Sequence, residues 1–294
     1  MGILVAWHYR SNLFAKMADH TYVTCGNGAR RWKCWGGCKG GDALIQGAGE
    51  TKQANAIAQP DGRAGITCYL INGVCHQSAN RVLFPAGITV HGARGYYISE
   101  SLYGPYGRPH GAFGTCKAPF DRHTGMSGDL PESTVIQGQH TADESDSIAK
   151  IANQPPEPER YTEYLRRVND LYAGAEMKEL EVEPAKLLPF QLKLFEELIR
   201  FKLGSSFLNK RKTENLQEVR GQIEDERISI ENSFGRNNIS VDEFVSGFNS
   251  LTESFQKQMA NILKRGEYTQ FLGIEPDDMV VLGDVDIARE YYES

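Results

Sequence analysis

The chain lacks any apolar run approaching the 18 or so residues of a membrane helix, so no membrane span is expected. Its opening Met1–Arg10 segment has no basic region and only a short apolar stretch, which does not read as a signal peptide. Ala6 stands where an N-myristoylation motif needs Ser or Thr. Cysteine is scarce, and six in 294 residues do not make a disulfide framework. These absences point to a cytoplasmic, reduced protein, with signal-less secretion left open. Gly36–Asp42 is glycine-rich but lacks the G-x-x-x-x-G-K-[ST] spacing, which excludes a nucleotide phosphate loop.

What is present is unevenly placed. The net charge of −6 argues against a general nucleic-acid binder, yet it averages a net +3 over residues 1–150 with a net −9 over residues 151–294. Of 30 glycines, 22 fall in the first half, and every cysteine and histidine precedes residue 141. Chemistry is therefore expected in the first half. The organisation reads as an α+β domain over 1–125, a polar, Pro-bearing linker over 126–158 and an all-α helical domain over 159–294.

In the first half, Thr21–Thr24, Ile66–Ile71, Ile88–His91 and Tyr96–Ile98 are β-favouring runs. Among them, Ala79, Val82 and Leu83 take helical spacing after the Asn72-Gly73 turn and stop at Pro85. In the second half the stripe Leu188, Leu192, Phe195, Ile199, Leu203 and the set Leu216, Val219, Ile223, Ile230, Phe234 predict bundle helices. Ser240-Val-Asp-Glu243 is a capping box that opens a helix carrying Phe244, Phe248, Leu251, Phe255 and Met259, which Gly266 would close. The last 28 residues hold eight acids and one Arg. That complementarity to the basic half predicts docking of the helical half onto the first, or self-association through it.

The stretch Tyr69-Leu-Ile-Asn-Gly-Val-Cys75-His76-Gln77-Ser-Ala-Asn80 puts Cys75 in the first turn of a helix. Free N–H groups and the helix dipole there favour thiolate and can hold an oxyanion. A base must come from elsewhere, because His76 points about 100° round the helix. His20, opening one strand, and His91, on another, are the candidates, with Asp19, Asp42 and Gln77 as orienting groups. Cys34-x₃-Cys38 has a zinc-like spacing, with Cys25, Cys68 or His20 able to complete a set, but no second close pair follows, so no metal and no cofactor is expected. Arg30-Arg31-Trp32-Lys33 is too short a basic–aromatic patch to carry nucleic-acid binding. Tyr96-Tyr97 and Gly104-Pro-Tyr-Gly107 would brace a cleft edge.

With a His-bearing strand followed by Cys75-His-Gln-x-Ala-Asn80, the segment 15–105 resembles the circularly permuted branch of papain-like cysteine hydrolases: permuted NlpC/P60, lecithin–retinol acyltransferase-like and PPPDE-like peptidases. The resemblance implies a thiolate nucleophile at Cys75, a base at His20 and a peptide, protein or acyl substrate. Gly73-Val74 departs from the Asn that usually precedes that cysteine. The alternative reading runs forward from the same cysteine and resembles the transglutaminase-like variant, with His91 or His110 as base and Asp121 as orienter. A non-catalytic, partner-binding module is the reading from another class.

Overall fold

The computed structural model describes residues 2–10, 16–25, 30–32, 40–57, 68–108, 110–111, 114–115, 146, 150, 159–175, 184–204 and 210–293. Strands β1 (Gly2–Arg10), β2 (Asp19–Cys25), β3 (Arg30–Trp32) and β4 (Asp42–Gly49) form an antiparallel sheet in the order β3-β2-β1-β4. Alternation along β1 sends Leu4 and Ala6 to one face and Val5, Trp7 and Tyr9 to the other. Helix α1 (Thr51–Ile57) follows the sheet. Helix α2 (Cys75–Leu83) lies on the first face, burying Ala79, Val82 and Leu83 against Leu4, Ala6, Val23 and Cys25. It continues as a 3₁₀ turn over Phe84–Ala86, where Pro85 ends regular helix.

Three strand expectations are corrected. Residues 68–73 form a tight turn: Leu70 takes a positive φ of 64°, and the N–H groups of Ile71 and Asn72 both return to the Cys68 carbonyl. Residues 88–91 run without strand pairing into a turn, so His91 is a turn residue. Tyr96-Tyr97-Ile98 opens helix α3 (Tyr96–Tyr103), because packing among helices overrides the local β preference of those side chains. Gly95 caps α3 with φ 81°; a Cβ there would meet Ala18 Cβ at 2.8 Å and Val280 Cγ1 at 2.9 Å. After the two-residue strands β5 (His110–Gly111) and β6 (Gly114–Thr115), helices α4 (Glu159–Gly174), α5 (Pro184–Leu203), α6 (Lys210–Gly235), α7 (Val241–Ile262), α8 (Arg265–Leu272) and α9 (Val285–Tyr292) complete the chain. Ser240 caps α7 through the expected box, but α7 stops at Ile262 and Gly266 falls inside α8. The linker read over 126–158 lies outside the described residues, Asp146 and Lys150 excepted.

The two halves share one core. Tyr69, Leu70, Ile98, Leu102 and Tyr103 pack in the same apolar cluster as Tyr164, Phe195, Phe244, Phe248 and Phe271. The acidic tail does lie on the first half, largely through backbone and apolar contact: Ala18 N–H donates to the Val281 carbonyl and Val281 N–H to the Lys16 carbonyl, each at 3.0 Å. Arg94 and Asp278, 2.6 Å apart, form an ion pair across that seam.

Charges are buried at the seam as well. Arg108 Nη1 reaches both carboxylate oxygens of Glu231 at 2.8 Å, and its Nη2 reaches Glu224 at 2.7 Å. Arg220 and Arg227, on α6, pair with Glu224 and donate to the Ser101 and Leu102 carbonyls at the end of α3. All five side chains are at most 4% exposed. Burial alone would raise the Glu224 carboxyl, but the guanidinium groups of Arg227, Arg108 and Arg220 hold it far below the usual range. Glu224→Leu, which strands buried guanidinium groups, is expected to cost about 3–5 kcal/mol in urea unfolding. A cost under about 1 kcal/mol would show that the network is not a structural tie.

Glu100 behaves oppositely. Burial pushes its carboxyl up to about 7 despite hydrogen bonds from the Tyr164 and Tyr96 hydroxyls at 2.7 and 3.1 Å. A carboxyl whose folded pKa exceeds its unfolded value of about 4.3 stabilises the fold fully below that lower value. That contribution is lost as pH rises through about 7 and stays lost above. Glu100→Gln is therefore expected to flatten a fall in unfolding free energy on the order of 3 kcal/mol between these pH values, read by urea unfolding across pH. An unchanged slope would contradict this.

Candidate functional site

Cys75 is the first residue of α2, and the sequence places it there through a local cap. Val74 is extended (φ −125°, ψ −171°), and its N–H donates to the Gln77 side-chain oxygen at 3.1 Å. Gln77 turns its amide nitrogen away into the α2–α3 seam, donating to Ser99 Oγ and the Gly104 carbonyl, each at 3.2 Å. It is fully buried and serves the cap. Asn80 is likewise consumed by Tyr96, Pro105 and Val90.

The first turn of α2 meets the outer edge of β2. Among the described residues strand β3 pairs with Val23–Cys25, and the edge at Asp19 meets other partners. There Asp19 N–H donates to the Arg94 carbonyl at 2.9 Å, while the Asp19 carbonyl accepts from His76 Nε2–H at 2.8 Å and from the Cys75 thiol at 3.9 Å. Burial pushes the Cys75 thiol up, and this outweighs the backbone N–H groups of Thr21, His76 and Cys75 itself, which favour thiolate. The helix N-terminus thus acts in the anticipated direction, but the expectation of a lowered thiol pKa is corrected by desolvation.

His20 stands between the two residues whose backbone meets the sulfur. Alternation turns its ring to the face of Tyr22 and of Tyr9, the residue paired with it in register. The His20 and Tyr9 rings are 5.0 Å apart. Cys75 packs against the cluster of Val5, Trp7, Tyr22 and Ala43, and Tyr9 flanks the same cluster. Cys75 and Tyr9, the ring neighbour of His20, thus flank the same cluster.

The other candidates go elsewhere. His91 Nδ1 contacts the Thr89 carbonyl at 3.2 Å and its ring lies 4.4 Å from that of Tyr161. His76 is fully buried, with Nδ1 2.9 Å from Ser99 Oγ, and burial lowers its pKa to about 4, so it is neutral at pH 7. Asp42 opens β4, and His110 lies on β5. Cys34, Cys38, Cys116 and Asp121 lie outside the described residues. Among the described residues no cluster of His, Cys, Asp and Glu could hold a metal ion. The chain matches no protein-family model, no curated protein and no solved structure.

One pair escaped the sequence reading. His8 Nδ1–H donates to Asp19 Oδ2 at 2.7 Å, because a carboxylate can only accept. The same oxygen accepts the Arg94 backbone N–H at 3.1 Å. Burial would raise the Asp19 carboxyl, but the His8 and Arg94 hydrogen bonds bring it below its ordinary value. The signal was the alternation Leu4, Ala6, His8 on the α2 side of β1, hidden inside what reads as a short apolar run.

With burial setting the thiol, Cys75 should be mostly neutral at pH 7. Chloroacetamide labelling of Cys75, followed by mass spectrometry, should therefore reach half its maximal rate above the free-cysteine midpoint of about 8.5. A midpoint below 7 would contradict this electrostatic account.

Proposed function

We propose that the chain is a cysteine-nucleophile hydrolase or acyl transferase of papain-like, permuted type, acting on an amide, isopeptide or acyl carbonyl. Cys75 attacks the carbonyl, His20 takes the thiol proton and then gives it to the leaving group as the acyl bond breaks, and the Cys75 N–H helps to hold the oxyanion. The observation that carries the reading is the seat of the sulfur: it lies at a helix N-terminus, against the backbone of both neighbours of His20. A thiol kept neutral by burial needs a base at the moment of attack rather than a standing thiolate, which suits an imidazole partner. The substrate class under this reading is a peptide, protein or acyl donor. The free thiols of Cys25, Cys68 and Cys75 support placing it in the reducing cytoplasm. No helix among the described residues is long and apolar enough to cross a membrane.

The transglutaminase-like reading needs His91 or His110 as base. The engagement of His91 with Thr89 and Tyr161 gives it less support than His20 has.

The test is acyl transfer from p-nitrophenyl acetate, mapped by mass spectrometry. Acetyl is expected on Cys75, and His20→Ala should slow its arrival by roughly 10²-fold or more, the usual contribution of general base catalysis, while His91→Ala leaves it within about two-fold. Equal labelling of Cys75, Cys34 and Cys116 would overturn the proposal.

A further inference from the structure

A cavity of about 690 Å³, which shares only Asp19 with the contacts of the Cys75 sulfur, is not used by the thiol chemistry above. Among the described residues its walls come from the end of β1, the start of β2, the turn 91–95 and the segment 272–278. His8 and Asp19 line it together, and the imidazole is 27% exposed while the carboxylate is 5% exposed. Asp19 fixes the tautomer: with the proton on Nδ1, His8 Nε2 carries a lone pair and has no protein partner among the described residues. A buried carboxylate behind a part-exposed imidazole orients that imidazole as a proton acceptor. Among the described residues Asp19 Oδ1 has no hydrogen-bond partner.

Two links tie this pair to Cys75. The Asp19 carbonyl accepts from the Cys75 thiol while the Asp19 side chain holds His8. In addition, His8 is the register partner of Thr21, whose N–H faces the same sulfur, and opposed Cβ atoms in such a pair stand roughly 5 Å apart. The charge lining the cavity is close to balanced: Asp19, Asp42 and Asp278 face Arg10, Arg94 and the titratable His8, with His91 also at the wall. Such a wall gives no strong preference for an ion of either sign, and offers both donors and acceptors to a hydroxyl group.

We propose that this cavity is the acceptor site of the Cys75 reaction, taking water or a neutral alcohol, and that His8, positioned by Asp19, is the base of the second half-reaction. The inference rests on the proposed thiol chemistry. In that step His8 Nε2 takes the acceptor hydroxyl proton as its oxygen bonds to the acyl carbon. The C–S bond then breaks with its electron pair going to sulfur, and the proton returns from His8 to the thiolate. Products are the acid or ester and free enzyme, with no external reductant or oxidant needed.

Pre-steady-state turnover of p-nitrophenyl acetate by the full chain separates the two half-reactions. The wild type should show a burst that Cys75→Ala abolishes. His8→Gln should keep the burst, lower the steady rate at least ten-fold and accumulate acetyl-Cys75 by intact mass; added glycerol should yield glyceryl acetate with the wild type only. Asp19→Asn preserves shape and guards against a folding defect in the first variant; it should slow the same phase and displace its pH midpoint. An unchanged steady rate in His8→Gln, or loss of the burst itself, overturns the acceptor-site role while leaving Cys75 as nucleophile. Absence of a burst in the wild type overturns the thiol reading and this one with it.

Discussion

Arg108, Arg220 and Arg227 converge on Glu224 and Glu231 where water is excluded, and the placement of the candidate site depends on that convergence. Buried ions repay their desolvation only if their partners and geometry are complete. Here Arg220 and Arg227 reach past the carboxylates to the Ser101 and Leu102 carbonyls at the buried C-terminal end of α3. Arg108 closes the other side, its own N–H donating to the Asn72 carbonyl at 2.7 Å. Asn72 ends the turn from which α2 departs, so a charge network on α6 fixes where Cys75 begins its helix. The chain of support runs from long-range ion pairs to a turn, to a helix start, to a sulfur.

Opposite electrostatic outcomes arise from the same burial. Glu224, ringed by guanidinium groups, stays ionised, whereas Glu100, given two tyrosine hydroxyls, is pushed toward neutrality. Cys75 follows Glu100 rather than Glu224: donors surround the sulfur but no full positive charge leads among them. The thiol site is thus one where a partner must move the proton, and the histidines nearby differ sharply in fitness for that task. His76 is neutral and fully engaged, His91 is held at Thr89 and Tyr161, and His20 flanks the sulfur's own backbone contacts.

Local pattern made part of this legible. Helix α2 was marked by apolar spacing bounded by Asn-Gly and Pro85, and α7 by its capping box, because both signals act within a few residues. Strand β2 was readable around Thr21–Thr24. Tyr96–Ile98 misled because aromatic and β-branched residues suit a strand alone, while their neighbours in the fold are helices. The His8–Asp19 pair was hidden because it depends on the β1–β2 register, and the thiol pKa because desolvation is a property of the packed state.

The central claim is that Cys75 and His20 act as one unit, and a double-mutant cycle on the acylation rate measures this most directly. If they are coupled, Cys75→Ser and His20→Gln together should lose no more than the worse single variant. Fully additive losses would mean that the two side chains act independently, and would contradict the account.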